Sequence, residues 1–476
     1  MRRIVAAFGL DASGTRRDLM LDIDDGGVIS AVGAASGQAD DVVVMPAPVN
    51  AHDHARPLRT TSIGGFGRPL EIWLHRLALL APLDPYTASL ASFARSALGG
   101  QGAAMNHAVR FMGLTDPVTE ASEVARAARD VGLRIAFGVG MRDMNPLVYG
   151  PSEPVLDVLD PETRAEIAGR FLGPMKPIGE QIALVDAVAE RIAGPLADVQ
   201  YAPNGPQWCS DALWEAVAEA SERTGRRVTT HLFETKYQRA WADRAYPQGF
   251  VRRLKEIGLL TPRLTLAHCV HARPDELELI AEAGCIVSIN TSSNLALRSG
   301  IAPVAEMLAR GCRIAIGIDG QAFDEDDDAL REIRLLWSLH AGWGFETGAT
   351  RHDVLRASFE NGRFAVGAPS GGRLEPGAVA DLVVIDRKTL DDDAVMDVDP
   401  LDLLFARARK SHVKELIVAG RTVVRDGAVI GVDLEALQAE LRARYRAGIE
   451  ERAGLRRSLP GLEIAIRDHF LRLGCC

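Results

Sequence analysis

Cysteine is scarce and unpatterned in this sequence. Six occur in 476 residues, at Cys209, Cys269, Cys285, Cys312, Cys475 and Cys476, and none forms a Cys-x-x-Cys pair. That excludes a disulfide framework of the secreted kind and a cysteine-built structural zinc module. Long apolar runs are missing too: nothing approaches the roughly 20 residues that span a bilayer. After Met1-Arg2-Arg3 the apolar stretch at 4–10 is too short for a secretory signal and has no cleavage pattern, so the expected compartment is the cytoplasm. Positive charge is in deficit, with 54 Lys and Arg against 64 Asp and Glu and a net charge of −10. Such a chain is a poor general binder of nucleic acid or anionic membrane. There is no solenoid-type repeat and no low-complexity segment.

What is present is a chain too long for one ordinary core, so a large barrel domain beside a smaller one is expected. Residues 1–47 read as short strands broken by turns, Asp24-Asp25-Gly26-Gly27 being the clearest. From about residue 48, apolar strand-like runs alternate with amphipathic helical patterns. Strands are read at 133–139, 199–203, 227–231, 264–268, 285–289 and 313–319. A helix is read at 210–223, with Ser210 as its N-cap and Leu213, Trp214, Val217 and Ala218 as its stripe. These repeated units predict an α/β fold built on a (β/α)8 TIM-like barrel. Short strands return at 381–385 and 413–424, with turns at 372–377 and at Ala419-Gly420. The expected organisation is a small β-sandwich domain from both chain ends (1–47 and 371–432), a catalytic barrel at 48–370, and a C-terminal helical tail at 433–476. Within the tail, 434–458 reads as a surface helix rich in Arg and Glu.

The chemistry-bearing residues fall at the ends of these strands. His52 and His54, two apart on an extended segment, point to one face and offer two imidazoles to one ion. His231 ends a second run and Asp319 a third, where Ala315, Gly317 and Asp319 share the face opposite Ile314, Ile316 and Ile318. Three neutral imidazoles and a carboxylate suit one divalent ion, Zn2+ in the first place and Fe2+ as the alternative, with room for a water. Glu234, three residues past His231, can face the open position and move protons. His268 ends the sixth barrel strand, where it can polarise the reacting centre or steady the attacking hydroxide, while His271 lies beyond the strand and reads as structural. A metal lowers the pKa of bound water towards ~7, so hydroxide would attack an electron-poor sp2 carbon, with Asp319 accepting the water's proton and Glu234 protonating the ring nitrogen and leaving group.

Four segments carry a resemblance: 48–54 around His52-Asp53-His54, Thr230-His231-Leu232-Phe233-Glu234-Thr235, Ala267-His268-Cys269-Val270-His271 and Gly317-Ile318-Asp319-Gly320. Together they resemble the amidohydrolase superfamily, in its cytosine/guanine deaminase and triazine hydrolase branch. Residues 372–386 and 418–424 are similar to that branch's closing β-domain. The resemblance implies a mononuclear site with His52, His54, His231 and Asp319 as ligands, Glu234 as proton shuttle and His268 as a partner of substrate or nucleophile. It implies hydrolytic release of ammonia or an amine from a small nitrogen heterocycle or amidine-like substrate, and a homodimer. Arg142 resembles the position of a substrate-binding arginine in this branch, able to grip a carbonyl or carboxylate; a structural salt bridge with Asp143 or another acid is the alternative. Trp73 either walls the pocket or belongs to the core.

The departures are specific. Asp53 stands where the branch more often has a small polar residue; by alternation it should point away from the metal and could accept a ligand N–H. The acidic run at 323–328 is expected as a solvated loop capping the helix at 329–340, or else as an attractor of a cationic substrate. Two other functions are weighed. A cyclic-amide hydrolase of hydantoinase or dihydroorotase type would need a fourth-strand lysine, which Val199-Gln200-Tyr201-Ala202-Pro203 lacks. A non-catalytic barrel scaffold would have lost ligands, which this chain retains.

Overall fold

The computed structural model describes residues 1–320 and 324–473. Its N-terminal strands are β1 (Arg2–Asp11), β2 (Gly14–Ile23), β3 (Ile29–Ala34) and β4 (Asp40–Pro46). The barrel strands follow: β5 (Val49–Asn50), β6 (Ala103–Ala108), β7 (Arg134–Met141), β8 (Ala197–Pro203), β9 (Val228–Leu232), β10 (Leu264–His268), β11 (Ile286–Ile289) and β12 (Arg313–Ile316). Four more lie towards the C-terminus: β13 (Leu382–Asp386), β14 (Val413–Val418), β15 (Arg421–Arg425) and β16 (Ala428–Val429).

Strands β5 to β12 pair in sequence order, all parallel. The first meets the last through Ala51 N–H to Ile316 C=O at 2.8 Å and Asp319 N–H to His52 C=O at 2.9 Å. The eight strands thus close into the expected barrel, with helices between them. Several helices open on an Asp-Pro step: Asp84, Asp116, Asp160 and Asp399 each accept main-chain N–H bonds as N-caps, and proline occupies the first turn. Ser210 caps Asp211–Thr224 in the same way.

The other eight strands form one mixed sheet in the order β16-β15-β14-β13-β4-β1-β2-β3, so both chain ends contribute to the small β-domain. The apolar run in β4 has no polar face because both of its faces are covered. Val42 and Val44 pack with Leu21, Leu382 and Ile417, whereas Val43 and Met45 enter the barrel-side core with Phe8 and Val383.

The C-terminal tail departs from the expected surface helix. Two helices, Leu434–Glu451 and Ala453–Arg472, follow one another. The second buries Leu455, Leu459, Leu462, Ile466 and Phe470 in a separate core against Ile63, Leu147, Val148, Tyr149 and Ile167. Those partners belong to the loops that follow the first and third barrel strands, so the tail buttresses the rim of the barrel. Its amphipathic stripe is legible, but the apolar surface that it meets exists only once those loops are folded.

Candidate active site

The parallel barrel sends the C-terminal ends of all its strands to one rim, and there the proposed ligands converge. His52 and His54 follow β5, His231 lies within β9, His268 closes β10 and Asp319 follows β12. The ring centroids of His52 and His231 are 4.7 Å apart, and those of His52 and His54 5.1 Å. Asp319 Oδ1 lies 3.1 Å from His54 Nε2 and 3.7 Å from His52 Nε2. Donor atoms of three triplets, His52/His231/His268, His52/His54/Asp319 and Glu234/His268/Asp319, each lie within 4.8 Å of one another. Gly317 makes room for this packing: a methyl there would stand 2.2 Å from Asn290 Oδ1 and 2.9 Å from His52 Cβ.

The hydrogen bonds around the cluster assign its tautomers. His54 Nδ1 meets the His107 carbonyl at 2.8 Å, and His231 Nδ1 meets the Asn204 carbonyl at 2.7 Å. A carbonyl only accepts, so both Nδ1 atoms carry the hydrogen and both Nε2 atoms present lone pairs. Those two Nε2 atoms are 3.3 Å apart. Two facing lone pairs repel unless a cation lies between them. His52 is fully buried with neither ring nitrogen hydrogen-bonded, and Asp319 Oδ1 accepts no hydrogen bond. Orphaned buried nitrogens and oxygen in this donor set fit a divalent ion held by His52, His54, His231 and Asp319.

Electrostatics favour the same state. Burial holds the imidazoles of His52 and His231 well below the usual histidine range, so both are neutral, the form that ligates. For Asp319, burial opposes ionisation, but the His54 contact, His52 and Arg56 outweigh it and hold the carboxyl well below its ordinary value. Asp319 Oδ2 is occupied by the Ser293 hydroxyl at 2.6 Å. Glu234 is the contrasting acid: burial first, then the charges of Asp319 and Glu71, push it well above the usual glutamate range. Its Oε2 lies 3.6 Å from His268 Nε2. Asn294 Oδ1 lies 2.8 Å from His268 Nδ1, on the far side of that ring. His268 and Asp319 both take left-handed backbone, φ 75° and 57°, which aims their side chains inward at the strand exits.

The remaining expectations fare differently. His271 is tied to the Ser299 carbonyl at 2.9 Å, away from the cluster. Trp73 is buried with Leu70 and Leu297, and the Arg56 guanidinium lies 4.6 Å from its ring centroid. Asp143 is consumed by Ser210, whose N–H and hydroxyl it accepts at 2.7 and 2.5 Å. Arg142 therefore makes no salt bridge with it. Asp53 does turn from the metal cluster, but in place of an imidazole hydrogen it accepts the main-chain N–H groups of His54, Ala55 and Gly320 at 2.6, 2.9 and 3.0 Å and the Asn50 side-chain amide at 2.7 Å. It staples the exit of β5 to that of β12.

The acidic run corrects both readings offered for it. Phe323 lies outside the described residues, but Glu325 to Asp328 are buried and each is engaged by the chain itself. Glu325 accepts from the Thr60 N–H and hydroxyl at 2.7 and 2.8 Å, and Asp326 pairs with Lys410 at 2.9 Å. Asp327 pairs with Arg95 at 2.6 Å, and Asp328 caps the helix Ala329–His340. Of the expected loop, only the cap is found. Asp324 is exposed and pairs with Arg331, whereas the buried acids tie this loop to the loop after the first barrel strand, to the helix Pro85–Leu98 and to Lys410 rather than facing substrate.

Sequence reasoning missed Arg56, which donates to the Asp319 carbonyl at 2.8 Å, and His107, whose ring lies 4.8 Å from that of His231. His107 ends a strand-like run, Ala103–Ala108, as the other histidines do, and that signal was there to read. Arg56 carries no comparable mark.

A family model for the amidohydrolase family matches residues 43–423. A 5′-deoxyadenosine deaminase of Methanosarcina barkeri is 29% identical over 425 residues, covering 86% of this chain and 89% of that protein. An 8-oxoguanine deaminase of Pseudomonas aeruginosa is 28% identical over 459 residues, covering 93% and 97%. Among solved structures, an adenosine deaminase from Xanthomonas campestris with bound zinc superposes with a TM-score of 0.74 at 25% identity, covering 94% of this chain and 98% of that one.

Proposed function

The chain belongs to the amidohydrolase family, and from that premise we propose that it is a zinc-dependent aminohydrolase. It would release ammonia or an amine from an sp2 carbon of a nitrogen heterocycle, in the chemical range of the nucleobase and nucleoside substrates for which its relatives are named. One observation carries this reading. A buried set of neutral imidazoles and an ionised carboxylate faces a second buried carboxyl, Glu234, whose environment favours the protonated form.

His52, His54, His231 and Asp319 would hold the ion, which when bound supplies a Lewis acid and lowers the pKa of water. Everything else falls to side chains of this chain. Asp319, with Oδ2 fixed by Ser293, has Oδ1 free to take a proton from the attacking water. With Asn294 accepting from Nδ1–H, His268 keeps a lone pair at Nε2, which the Asn290 amide approaches at 3.3 Å and which can steady the water by accepting its second O–H. In that state it cannot donate to a developing oxyanion, which favours the nucleophile-steadying role over polarisation of the substrate. Glu234, whose burial favours the protonated acid, donates from its carboxyl to the ring nitrogen beside the attacked carbon. It then relays the proton taken up by Asp319 to the leaving amine, and as the C–N bond breaks it takes back the proton of the new hydroxyl, so that the carbonyl forms and the acid is restored. Arg142 is assigned to the substrate side of the site, whereas Trp73, buried with Leu70 and Leu297 beneath Arg56, belongs to the core.

The test is ammonia release from a panel of purines, pterins, pyrimidines and triazines, using protein loaded with Zn2+ or Fe2+. One class should be turned over by the wild type and not by Glu234→Gln. Full metal occupancy with no ammonia from any class would overturn the assignment.

A further inference from the structure

The turn that carries Glu234 is strained and is held from outside. Phe233 takes left-handed backbone, φ 48°, which is unfavourable for a bulky side chain. The Glu234 carboxyl does little to fix itself. Among the described residues it accepts one hydrogen bond, from the Ser299 hydroxyl at a long 3.4 Å, and its other oxygen lies 3.6 Å from His268 Nε2. The start of the helix Lys236–Ala245 supplies the hold. Thr235 is its N-cap and accepts the Gln238 N–H at 3.2 Å, while the Gln238 side chain reaches back to accept the Glu234 N–H at 2.8 Å.

That cap has a partner of its own. The Thr235 hydroxyl donates at 2.6 Å to Oε1 of Glu71, which lies 164 positions earlier. Glu71 belongs to the short helix Leu70–Arg76, in the loop after the first barrel strand. The same oxygen accepts the Tyr149 hydroxyl at 3.1 Å, from the loop after the third. Glu71 Oε2 is buried without a hydrogen bond, so the carboxyl's hold passes through one atom. Neighbouring contacts keep that atom in place. His75 sits between the carbonyls of Glu71 and Leu147, at 2.8 and 2.9 Å, and the Tyr149 ring packs 5.1 Å from that of Phe470 in the C-terminal tail. Glu71, Tyr149, Thr235 and Gln238 are all buried. Burying a carboxyl is unfavourable unless hydrogen bonds offset it. The shorter of the two bonds to this carboxyl goes to the turn that carries Glu234.

We propose that Glu71 is a positioning residue for the proton donor: through the Thr235 hydroxyl it locks the cap whose Gln238 side chain holds Glu234, and so sets where the Glu234 carboxyl meets the substrate nitrogen. This rests on the aminohydrolase reading and deepens it, adding a residue that acts through another side chain. Three hydrogen bonds make the path, from Glu71 to Thr235, from Thr235 to Gln238 and from Gln238 to Glu234. A proton donor displaced by about 1 Å can lose roughly a hundredfold in rate, so the effect falls on turnover rather than on metal or substrate binding.

The experiment compares zinc-loaded wild type, Glu71→Leu and Glu71→Gln in amide hydrogen exchange and in steady-state kinetics. Exchange at the Glu234 and Gln238 N–H groups is followed against that of strands β6 and β7. Leucine is similar in volume but accepts nothing. In Glu71→Leu both N–H groups should exchange about fivefold faster, the scale of a weakened cap, with β6 and β7 unchanged. Its kcat should fall about tenfold or more, with KM and zinc content unchanged. Glu71→Gln, whose amide oxygen can still accept both hydroxyls, should recover most of both. Unaltered exchange at Glu234 in Glu71→Leu overturns the proposal, and so does faster exchange with wild-type kcat. A Glu71→Gln enzyme as impaired as Glu71→Leu overturns it too, because the accepted hydrogen bonds would then not be what matters. Should Glu71→Leu not fold, Thr235→Val removes the same hydrogen bond from its other end and takes its place, with Thr235→Ser as the conservative control. Exchange needs no substrate. Absence of turnover in every class would therefore sink the aminohydrolase reading, and exchange would still decide whether Glu71 holds the turn.

Discussion

The Arg56 guanidinium donates to the main-chain carbonyl of Asp319 at 2.8 Å, lies 3.7 Å from the same residue's carboxylate, and rests over the Trp73 ring. It places a fixed positive charge beside the ligand acid and helps to keep Glu234 from rising further. Arg56→Ala should lower kcat by about a hundredfold, the scale of losing one preorganised electrostatic group, with metal retained. Arg56→Lys should recover only part, because an ammonium cannot reproduce the planar stack. Wild-type turnover in Arg56→Ala would show that the contact serves packing alone.

Glu234 and His231 should separate chemistry from metal binding. Glu234→Gln is expected to keep its metal and lose about 10²- to 10⁴-fold in turnover. His231→Ala is expected to lose the metal itself. Elemental analysis beside the activity assay reads both, and an active Glu234→Gln enzyme would sink the proton-donor assignment.

Gly317 is where the cluster has no slack. Gly317→Ala forces the new methyl against Asn290, Ser288 and His52. Zinc should exchange to a chelator at least about tenfold faster than from wild type, in the range of perturbed outer contacts to metal ligands. Unchanged exchange would mean that the strand exit yields instead.

Burial pushes the Glu332 carboxyl up to about 7 from its ordinary 4.5. Between those values the folded protein keeps a proton that the unfolded chain has released, so stability from this group is full below about pH 4.5 and is lost as pH rises to 7. Glu332→Gln can still accept the Ser292 N–H, bound now at 3.0 Å, but cannot ionise. Relative to wild type it should gain about 3 kcal/mol across that window, read from urea melts at its two ends. The same difference at both ends would refute the shift.

Leu462 tests the buttress. It is fully buried among Ile63, Leu147 and Tyr149. Leu462→Ala should cost about 2–4 kcal/mol in urea unfolding and raise KM, because the loops it supports border the site. A cost near zero would return the tail to the surface helix that its composition suggests.

Much of the site was legible because a parallel strand carries its own address. A polar residue closing an apolar run must lie at the rim, and His52, His54, His231, His268 and Asp319 all obey that rule. Side-chain alternation also placed Asp53 away from the metal. What it accepts there is the Gly320 N–H, and nothing within residues 48–54 announces that contact. The acidic run shows the same limit. Its composition says solvent, yet Glu325 is spent on Thr60, 265 positions away.

By itself, then, the sequence determined the alternation of strands and helices, the ligand types and the strand ends that carry them, because period and spacing are local properties of a chain. Tertiary structure alone decided which groups meet. Barrel closure brings β12 back to β5, setting Arg56 on Asp319, and it turns two carbonyls, of His107 and Asn204, to assign the tautomers of the ligands. Such meetings depend on shear, loop path and the exclusion of water across hundreds of residues, and no window along the chain contains them.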